Sequence, residues 1–317
     1  MRSNIIKMSS LFLIAVGLCF LYLFHDLNGS YDYALPRRAI KLLAMVLTGA
    51  AVSYSTVVFQ TVTNNRILTP SIIGLDSLYL LIQTVFIFFL GSEHITVVNK
   101  QVNFLLSIGV MIVFALLLYR LLFKKGQQSI YFLLLVGIII GTFFQSISTF
   151  LQVLIDPNEF LMVQDRMFAS FNNVNGDLVW LAFFIICIVF AIGWRSVGFL
   201  DVMLLGRDIA VNLGIAYEKI ARNMLVITAI LIAVSTALVG PITFFGLIVA
   251  NLSYQFFSTY KHRVHITGAV FMSIIALVGG QWAVERIFTF STTLSVIINF
   301  VGGAYFLYLL LKESRSP

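Results

Sequence analysis

The sequence predicts an all-α polytopic membrane protein, and its composition carries that prediction. Of the 317 residues, 60% are apolar and only 10% are Asp, Glu, Lys or Arg, and the mean hydropathy is +1.00. Soluble domains carry about 25% charged residues and at most about half apolar residues. A soluble domain of this size could not bury so much apolar surface, because exposed surface still grows steeply with mass. A soluble enzyme, a disordered chain and a disulfide scaffold are therefore poor interpretations.

The apolar residues fall into about ten stretches that are long enough, or nearly so, to cross a bilayer as helices. Glycines, prolines, asparagines and charge clusters separate these stretches. The predicted spans are 10–27, 39–61, 72–91, 103–123, 130–153, 177–194, 223–241, 244–258, 264–283 and 293–311. The stretch 244–258 is short for a full crossing and follows the break at Gly240-Pro241. We expect the spans to form one transmembrane domain that covers residues 1–317.

Lysines and arginines indicate how the spans are oriented. With ten spans, both ends of the chain share one side of the membrane with the loops near 62–70, 124–128, 195–222 and 259–263. That side holds all but six of the 20 basic residues, the exceptions being Arg37, Arg38, Lys41, Lys100, Arg166 and Arg286. Because cytoplasmic loops are enriched in basic residues, both ends are predicted to be cytoplasmic, in a multi-pass protein of the cell membrane. The basic residues form no patch, so the net charge of +7 does not predict nucleic-acid binding.

The sequence shows no pattern typical of catalysis or metal binding. It contains no phosphate-binding loop ending in Gly-Lys-Ser/Thr, no His-Glu-x-x-His and no Cys-x-x-Cys. We therefore expect no catalytic residue, no metal site and no cofactor. His262 and His265 are predicted to be a solvated pair at the membrane interface. Asp76 is predicted to be an ordinary acid at a helix N-terminus, close to the cytoplasmic face.

Two predicted spans carry stripes of small and uncharged polar residues. At 100° per residue, the first stripe covers about 80° of its helix and the second about 100°. The first comprises Gly137, Gly141, Gln145, Ser148 and Gln152, and the second comprises Ser295, Asn299, Gly302, Gly303 and Phe306. Such stripes suit either close helix packing or a water-accessible path. Because neither stripe contains a charge, a path for a bulky polar ligand is favoured over an ion relay.

The predicted cytoplasmic connection 195–222 is long and amphipathic. Its apolar residues are Leu204, Leu205, Ile209, Leu213 and Ile220, and its polar residues are Arg207, Asp208, Asn212, Glu218 and Lys219. A cytoplasmic loop with its own short helices suits a docking surface for another protein. A helix lying passively in the membrane interface fits the same pattern.

Short motifs at helix ends and in loops add to this interpretation. They are Gly49-Ala50-Ala51, Phe59-Gln60, Pro70 followed by Gly74, Leu205-Gly206 with Ala210 and Leu213-Gly214, Gly240-Pro241-Ile242 with Gly246-Leu247, and Gly303-Ala304. Together they resemble the motifs of bacterial permeases that import ferric siderophores, haem and vitamin B12. The chain departs from that family at Asn65-Arg66-Ile67, where the family has Asn-Pro-Leu, and at Ala250-Asn251, where it has Pro-His. The proline of the last helix is replaced by Tyr305.

This resemblance implies a type II permease architecture and a set of partners. The expected assembly is an ATP-binding-cassette importer with two permease subunits, two separate ATPase subunits and an extracytoplasmic siderophore-binding protein. A heterodimer of paralogous permeases is favoured over a homodimer. The expected cargo is a ferric siderophore, possibly of the catecholate type, such as petrobactin or enterobactin. The chain itself is not expected to be an enzyme.

The resemblance also assigns roles to particular residues. The ATPase-coupling residues would be Leu205, Gly206, Arg207, Asp208, Ala210, Leu213 and Gly214. Arg37, Arg38 and Arg286 resemble the arginines that receive acidic residues of the binding protein. Interfacial anchoring of a helix end explains such arginines equally well.

Three alternatives remain open. The chain could be a permease for haem or vitamin B12. It could also be a secondary transporter that needs no ATPase, although mid-span Asp, Glu or Lys residues would be expected for that class. A membrane enzyme is more distant, because no nucleophile–base pair or metal set is visible.

Overall fold

The fold is almost entirely helical. The structure, a computed structural model, describes residues 2–25, 31–91, 94, 97, 99–123, 130–172, 174–289 and 292–313. The helices are α1 (Arg2–Phe24), α2 (Tyr31–Val62), a 3-10 helix (Pro70–Ile73), α3 (Leu75–Leu90), α4 (Lys100–Phe123), α5 (Ile130–Leu154), α6 (Pro157–Met167), α7 (Gly176–Met203), α8 (Arg207–Asn212), α9 (Tyr217–Val239), α10 (Phe245–Phe256), α11 (His262–Arg286) and α12 (Leu294–Glu313).

The predicted all-α membrane fold is confirmed. Eight of these helices are long and apolar enough to cross a membrane, and each overlaps a predicted span. The predicted spans 72–91 and 244–258 correspond to α3 and α10, which have only 16 and 12 residues. Ten crossings and two cytoplasmic ends therefore stay predictions. The basic loop 124–128 and Arg315 lie outside the described residues.

Helix α2 forms the centre of the bundle. It packs against α9 and α11 and also contacts α7, α10 and α1. Every residue of α2 from Ala51 to Val62 is buried. Hydroxyl side chains in this run donate hydrogen bonds to backbone carbonyls: Ser53 donates to Ala269 (3.2 Å) and Thr56 donates to Val52 (2.8 Å). Small and hydroxyl residues allow the close helix contacts that stabilise bundles in lipid.

An irregular segment leads from the end of α2 into the interior of the bundle. Asn64 adopts a φ of 50°, and the Asn65 side chain accepts the backbone N–H of Ile67 (2.9 Å). The Arg66 carbonyl accepts from Gln60 Nε2 (2.6 Å) and Asn251 Nδ2 (3.0 Å). Non-helical backbone is tolerated at membrane depth only when protein groups satisfy it in this way. Side-chain amides thus hold the turn at Asn65-Arg66-Ile67, where the family has a proline.

Asp76 lies in the first turn of α3, as predicted for an acid at a helix N-terminus, and its carboxylate faces the interior of the bundle. Its Oδ1 accepts a hydrogen bond from Thr236 near the end of α9 (3.4 Å). Its Oδ2 is buried and has no hydrogen-bond partner among the described residues. Thr48, in the middle of α2, lines the same cavity, roughly 21 Å along α2 from Val62. The irregular segment before α3 carries this residue inward, which hydropathy alone could not indicate.

Two histidines that are close in sequence are buried, and the prediction that they are solvated at the membrane interface is wrong. His262 and His265 are 2% and 5% exposed. The Nδ1 of His262 lies 2.7 Å from Asp201 Oδ1, and its Nε2 lies 2.8 Å from the Thr61 hydroxyl. His262, at the start of α11, thereby links this helix to the ends of α7 and α2. Within the described residues, no group of three or more His, Cys, Asp or Glu could hold a metal ion.

A break in the chain separates α9 from α10. Gly240 has a φ of 100°, and a Cβ there would lie 2.9 Å from the Cα of Ala169, so only glycine fits. The preceding carbonyl, of Val239, accepts the backbone N–H of Ser170 (2.8 Å). Pro241 then prevents continuation of the helix. The Gly-Pro motif is therefore explained by a tight crossing with the segment that precedes α7.

Candidate translocation path and docking surfaces

The glycines of the first predicted stripe pack inside the subunit. A Cβ at Gly137 would lie 2.9 Å from the Cα of Ile73, and one at Gly141 would lie 3.1 Å from the Cα of Gly74. Both glycines therefore let α5 touch the backbone of the 3-10 helix. Gly74 itself has a φ of 89°, which suits glycine. These contacts support close helix packing, rather than a water-accessible path, as the role of the two stripe glycines.

The polar residues of the same stripe mostly face α3. Ser148 is fully buried, and its hydroxyl lies 2.9 Å from that of Thr84. Gln152 Nε2 donates to Ser148 (2.9 Å), with Thr84 at 3.4 Å. Gln145 is half-buried, at the edge of this contact. Four of the five stripe residues thus meet the subunit's own α3 and 3-10 helix.

Another face of α5 is open, and it is not the face predicted from the sequence. Thr142, Ser146 and Thr149 are exposed on one side of the helix. The hydroxyls of Thr142 and Ser146 donate to the carbonyls four residues earlier (2.8 and 2.9 Å), which leaves their lone pairs accessible. This open face, defined by these three residues, lies roughly a quarter turn from the predicted stripe, and Gln145 lies between the two. The spacing of these three hydroxyls was the signal that could have found it.

The second predicted stripe, on α12, also divides into a packed and an open part. A Cβ at Gly302 would clash with the Cβ of Phe244, and the Phe306 ring lies 5.9 Å from the Phe244 ring. Ser295 is 2% exposed. Gly303, by contrast, has no atom within 4 Å of an added Cβ.

Asn299 lies between these two parts of the α12 stripe. It is half-buried, and its Oδ1 is buried with no partner among the described residues. Helix α12 contacts α10 and α11, whereas α5 contacts α3, α4 and the 3-10 helix. The two stripes are therefore on separate parts of the subunit, and only an assembly with another subunit could bring them face to face.

The predicted coupling residues surround the short helix α8. Gly206 and Gly214 bracket this helix with φ values of 96° and 82°. Between them, Ala210 is completely buried against the subunit. The motif spacing is thereby explained: two glycines turn the chain at either end, and the alanine permits close contact with the neighbouring helices.

The outer surface of α8 is apolar and has no partner among the described residues. Leu205, Ile209, Val211 and Leu213 are exposed by 55%, 51%, 48% and 62%. Asp208 is also exposed, while Arg207 donates to Glu218 (2.7 Å). This hydrogen bond raises the pKa of the Arg207 guanidinium above its ordinary value. A contiguous apolar surface rimmed by charges is typical of a protein contact.

The three predicted docking arginines differ in their surroundings. Arg37 is exposed and donates only to the Tyr33 hydroxyl on its own helix (2.6 Å) among the contacts described. Arg38 instead donates to the carbonyls of Tyr22, Leu23 and His25 (3.3, 3.3 and 2.7 Å), which caps the C-terminal end of α1. Arg286 is the last residue of α11 and is exposed. Helix capping thus occupies Arg38, and the other two remain on the surface.

Comparisons with known proteins agree with this arrangement. The model of the FecCD transport family matches residues 5–312. The petrobactin import system permease protein YclO of Bacillus subtilis (strain 168) is 59% identical over 99% of both chains. The petrobactin import system permease protein FatC of Bacillus anthracis is 37% identical, over 90% of this chain and 80% of that protein.

A solved structure has the same fold. It is an inward-facing conformation of a metal-chelate type ABC transporter, and it matches with a TM-score of 0.83 and 20% identity over 98% of this chain and 100% of that chain. The multi-pass helical architecture and the family resemblance of the motifs are therefore confirmed. The chain belongs to the FecCD transport family of membrane permeases.

Proposed function

We propose that this chain is the permease subunit of an ATP-binding-cassette importer that moves a ferric siderophore of the petrobactin type into the cytoplasm. The observation that carries this proposal is the 59% identity to a petrobactin permease along 99% of both chains. A sequence relation of that extent favours the same class of cargo over haem or vitamin B12. The chain performs no chemistry on its cargo.

The proposed path runs along the open face of α5 and the open part of the α12 stripe. Thr142, Ser146 and Thr149 offer exposed hydroxyl groups along this route. Several weak, replaceable hydrogen bonds suit a path, because a ligand that is held tightly would not leave it. Gly303 keeps the wall thin beside them.

Two exposed surfaces of the chain are assigned to the expected partner proteins. The apolar outer surface of α8 would dock into an ATPase subunit, and two such subunits would serve two permeases. ATP binding and hydrolysis there would bias the permease between outward- and inward-open states. Arg37 and Arg286 would receive acidic residues of an extracytoplasmic siderophore-binding protein.

The second permease would be a paralogue. Two petrobactin import system permeases of Bacillus anthracis match this chain, FatC at 37% and FatD at 25% identity. This chain corresponds more closely to one of the two, which supports a heterodimer. Co-expression with its paralogue should yield a one-to-one complex, whereas a stable assembly formed by this chain alone would contradict the heterodimer.

Uptake in a strain that lacks the gene tests the proposed cargo. Radioactive iron would be supplied as ferric petrobactin or as a ferric hydroxamate, with and without the gene restored. We expect restoration to rescue only the petrobactin-bound iron, and only with functional ATPase subunits. Rescue of the hydroxamate instead, or rescue that persists without ATPase activity, would contradict the proposal.

A further inference from the structure

A small cavity lies beside Asp76 inside the helix bundle. Its volume is about 10 Å³, room for one water-sized occupant. Its lining combines apolar side chains with Asp76 and several hydroxyl residues, among them Thr48, Ser71, Thr236 and Thr243. They come from α2, the 3-10 helix, α9 and the break before α10, so four parts of the chain meet at this point.

Two oxygen atoms at this cavity lack a hydrogen-bond partner within the described part of the chain. Asp76 Oδ2 is buried and makes no hydrogen bond with any described residue. The Thr48 hydroxyl likewise has no hydrogen-bond partner among the described residues, and Thr48 is 1% exposed. A buried polar group that makes no hydrogen bond costs about 1–3 kcal/mol, and an unpaired buried charge costs more. An occupant of the cavity that binds both oxygens would remove this cost.

The charge of the site favours a cation. Asp76 is in the first turn of α3, where the helix dipole reduces the cost of burying an ionised carboxylate. Among the described residues that line the cavity, only Asp76 can carry a charge. One carboxylate balances a monovalent ion, whereas a divalent ion would leave an uncompensated charge in a low-dielectric interior.

The geometry favours an ion of sodium size. The Thr236 hydroxyl lies 3.4 Å from Asp76 Oδ1, which is long for an O–H···O hydrogen bond. Two oxygens that bind one cation at right angles at about 2.4 Å each are about 3.4 Å apart, and Na⁺ has nearly the radius of Ca²⁺, which takes oxygens at such distances. Unwound backbone between two helices, as at Gly240-Pro241, is where membrane transporters coordinate Na⁺.

We propose that the cavity between α2, the 3-10 helix and the α9–α10 break binds one Na⁺ ion through Asp76, Thr48 and Thr236. The bound ion joins α2 to the two interrupted segments of the bundle. Its presence therefore stabilises the packed arrangement of these elements.

Thermal unfolding of the full-length chain, purified in detergent and followed by intrinsic fluorescence, tests the site. The chain is compared in NaCl, KCl and choline chloride at equal ionic strength. We expect Na⁺ alone to raise the unfolding temperature, by about 3 °C at 150 mM, with a saturable dependence on concentration. Equilibrium dialysis with radioactive sodium should give one ion per chain.

Three variants make the test specific. Asp76→Asn should abolish the sodium effect, and the isosteric Thr48→Val should shift its midpoint to at least about tenfold higher sodium. The exposed acid Asp177 provides the matched control, because Asp177→Asn should leave the effect unchanged. If Asp76→Asn does not fold, the wild-type salt comparison and Thr48→Val still decide.

Equal unfolding temperatures of the wild type in sodium and potassium would overturn the proposal. So would a sodium effect that survives in Asp76→Asn. Stabilisation by acid pH without a sodium effect would show a protonated carboxyl group instead of an ion, and would overturn it as well.

Discussion

The two faces of α5 differ in what they do with the same kinds of residue. One face brings Gly137, Gly141 and Ser148 against α3 and the 3-10 helix, with backbone contact and buried hydroxyl pairs. The open face leaves Thr142 and Ser146 exposed. Small and polar residues on a membrane helix thus serve packing on one side and accessibility on the other, and only the neighbouring elements decide which.

The same division into packing and exposed residues recurs at α8 and at the start of α2. At α8, Ala210 is buried while Ile209 and Leu213 are exposed. At the start of α2, Arg38 caps α1, while Arg37 is exposed and donates to Tyr33 on its own helix. Each segment has a residue that holds the subunit together and a neighbour that is available to a partner. Substitutions on the two sides should therefore have different consequences.

The largest effect is expected at α8. Ile209→Ser combined with Leu213→Ser removes exposed apolar surface, so siderophore uptake should fall by about tenfold or more while the unfolding temperature stays unchanged. Ala210→Leu should instead lower the unfolding temperature, because the alanine is buried in the subunit. Uptake and thermal unfolding of each variant check this. Normal uptake by the double variant would contradict the docking role.

The next effect concerns the packed face of α5. Gly137→Ala forces the 3-10 helix away and should reduce the free energy of unfolding by about 1–3 kcal/mol. Gly109→Ala is the matched control, because Gly109 is exposed on α4 with open space around it and alanine favours helix there by about 1 kcal/mol. Thermal unfolding should shift in opposite directions for the two variants. Equal stability of both would place Gly137 outside the packing contact.

The smallest effect is expected at the outer surface. Arg37→Glu should slow association of the siderophore-binding protein by about tenfold at low salt, and much less at high salt, because exposed charges mainly steer encounter and are screened. Arg263→Glu, in the predicted cytoplasmic loop region, should have no effect. Surface plasmon resonance at two salt concentrations gives both rates. Association that ignores the variant and the salt would leave interfacial anchoring as the role of Arg37.

Hydropathy sufficed for the helices but not for the points where the chain enters the interior. The long apolar stretches predict the eight long helices because length and composition alone decide a crossing. The position of Asp76 depends on the irregular segment after Val62, which amide side chains from Gln60 and Asn251 hold in place. That interaction joins residues far apart in sequence, and no local pattern indicates it.

Periodicity located polar stripes but could not orient them. On α5 the prediction rests on small and polar residues that lie along one line of the helix. Gly141 and Ser148 lie on that line because they pack against neighbouring elements. Thr142 and Ser146 have the same period, and only the position of α3 and the 3-10 helix distinguishes the two faces. The motifs around α8 were more informative, because glycines at fixed spacing require turns at fixed places.

Cysteine labelling tests most directly whether the open face of α5 lines the path. Thr142→Cys, Ser146→Cys and Thr149→Cys are compared with Ser148→Cys on the packed face and Ile188→Cys on the apolar, exposed flank of α7. The assembled importer, with its two native cysteines replaced, is treated with a small polar thiol reagent, with and without ATP trapped in the ATPase subunits.

We predict labelling at the three open-face positions that changes when ATP is trapped. The buried Ser148 position and the lipid-exposed Ile188 position should stay unlabelled, because neither meets water. The absence of labelling at all three open-face positions in every nucleotide state, or equal labelling at Ser148→Cys, would contradict the assignment of this face to the translocation path.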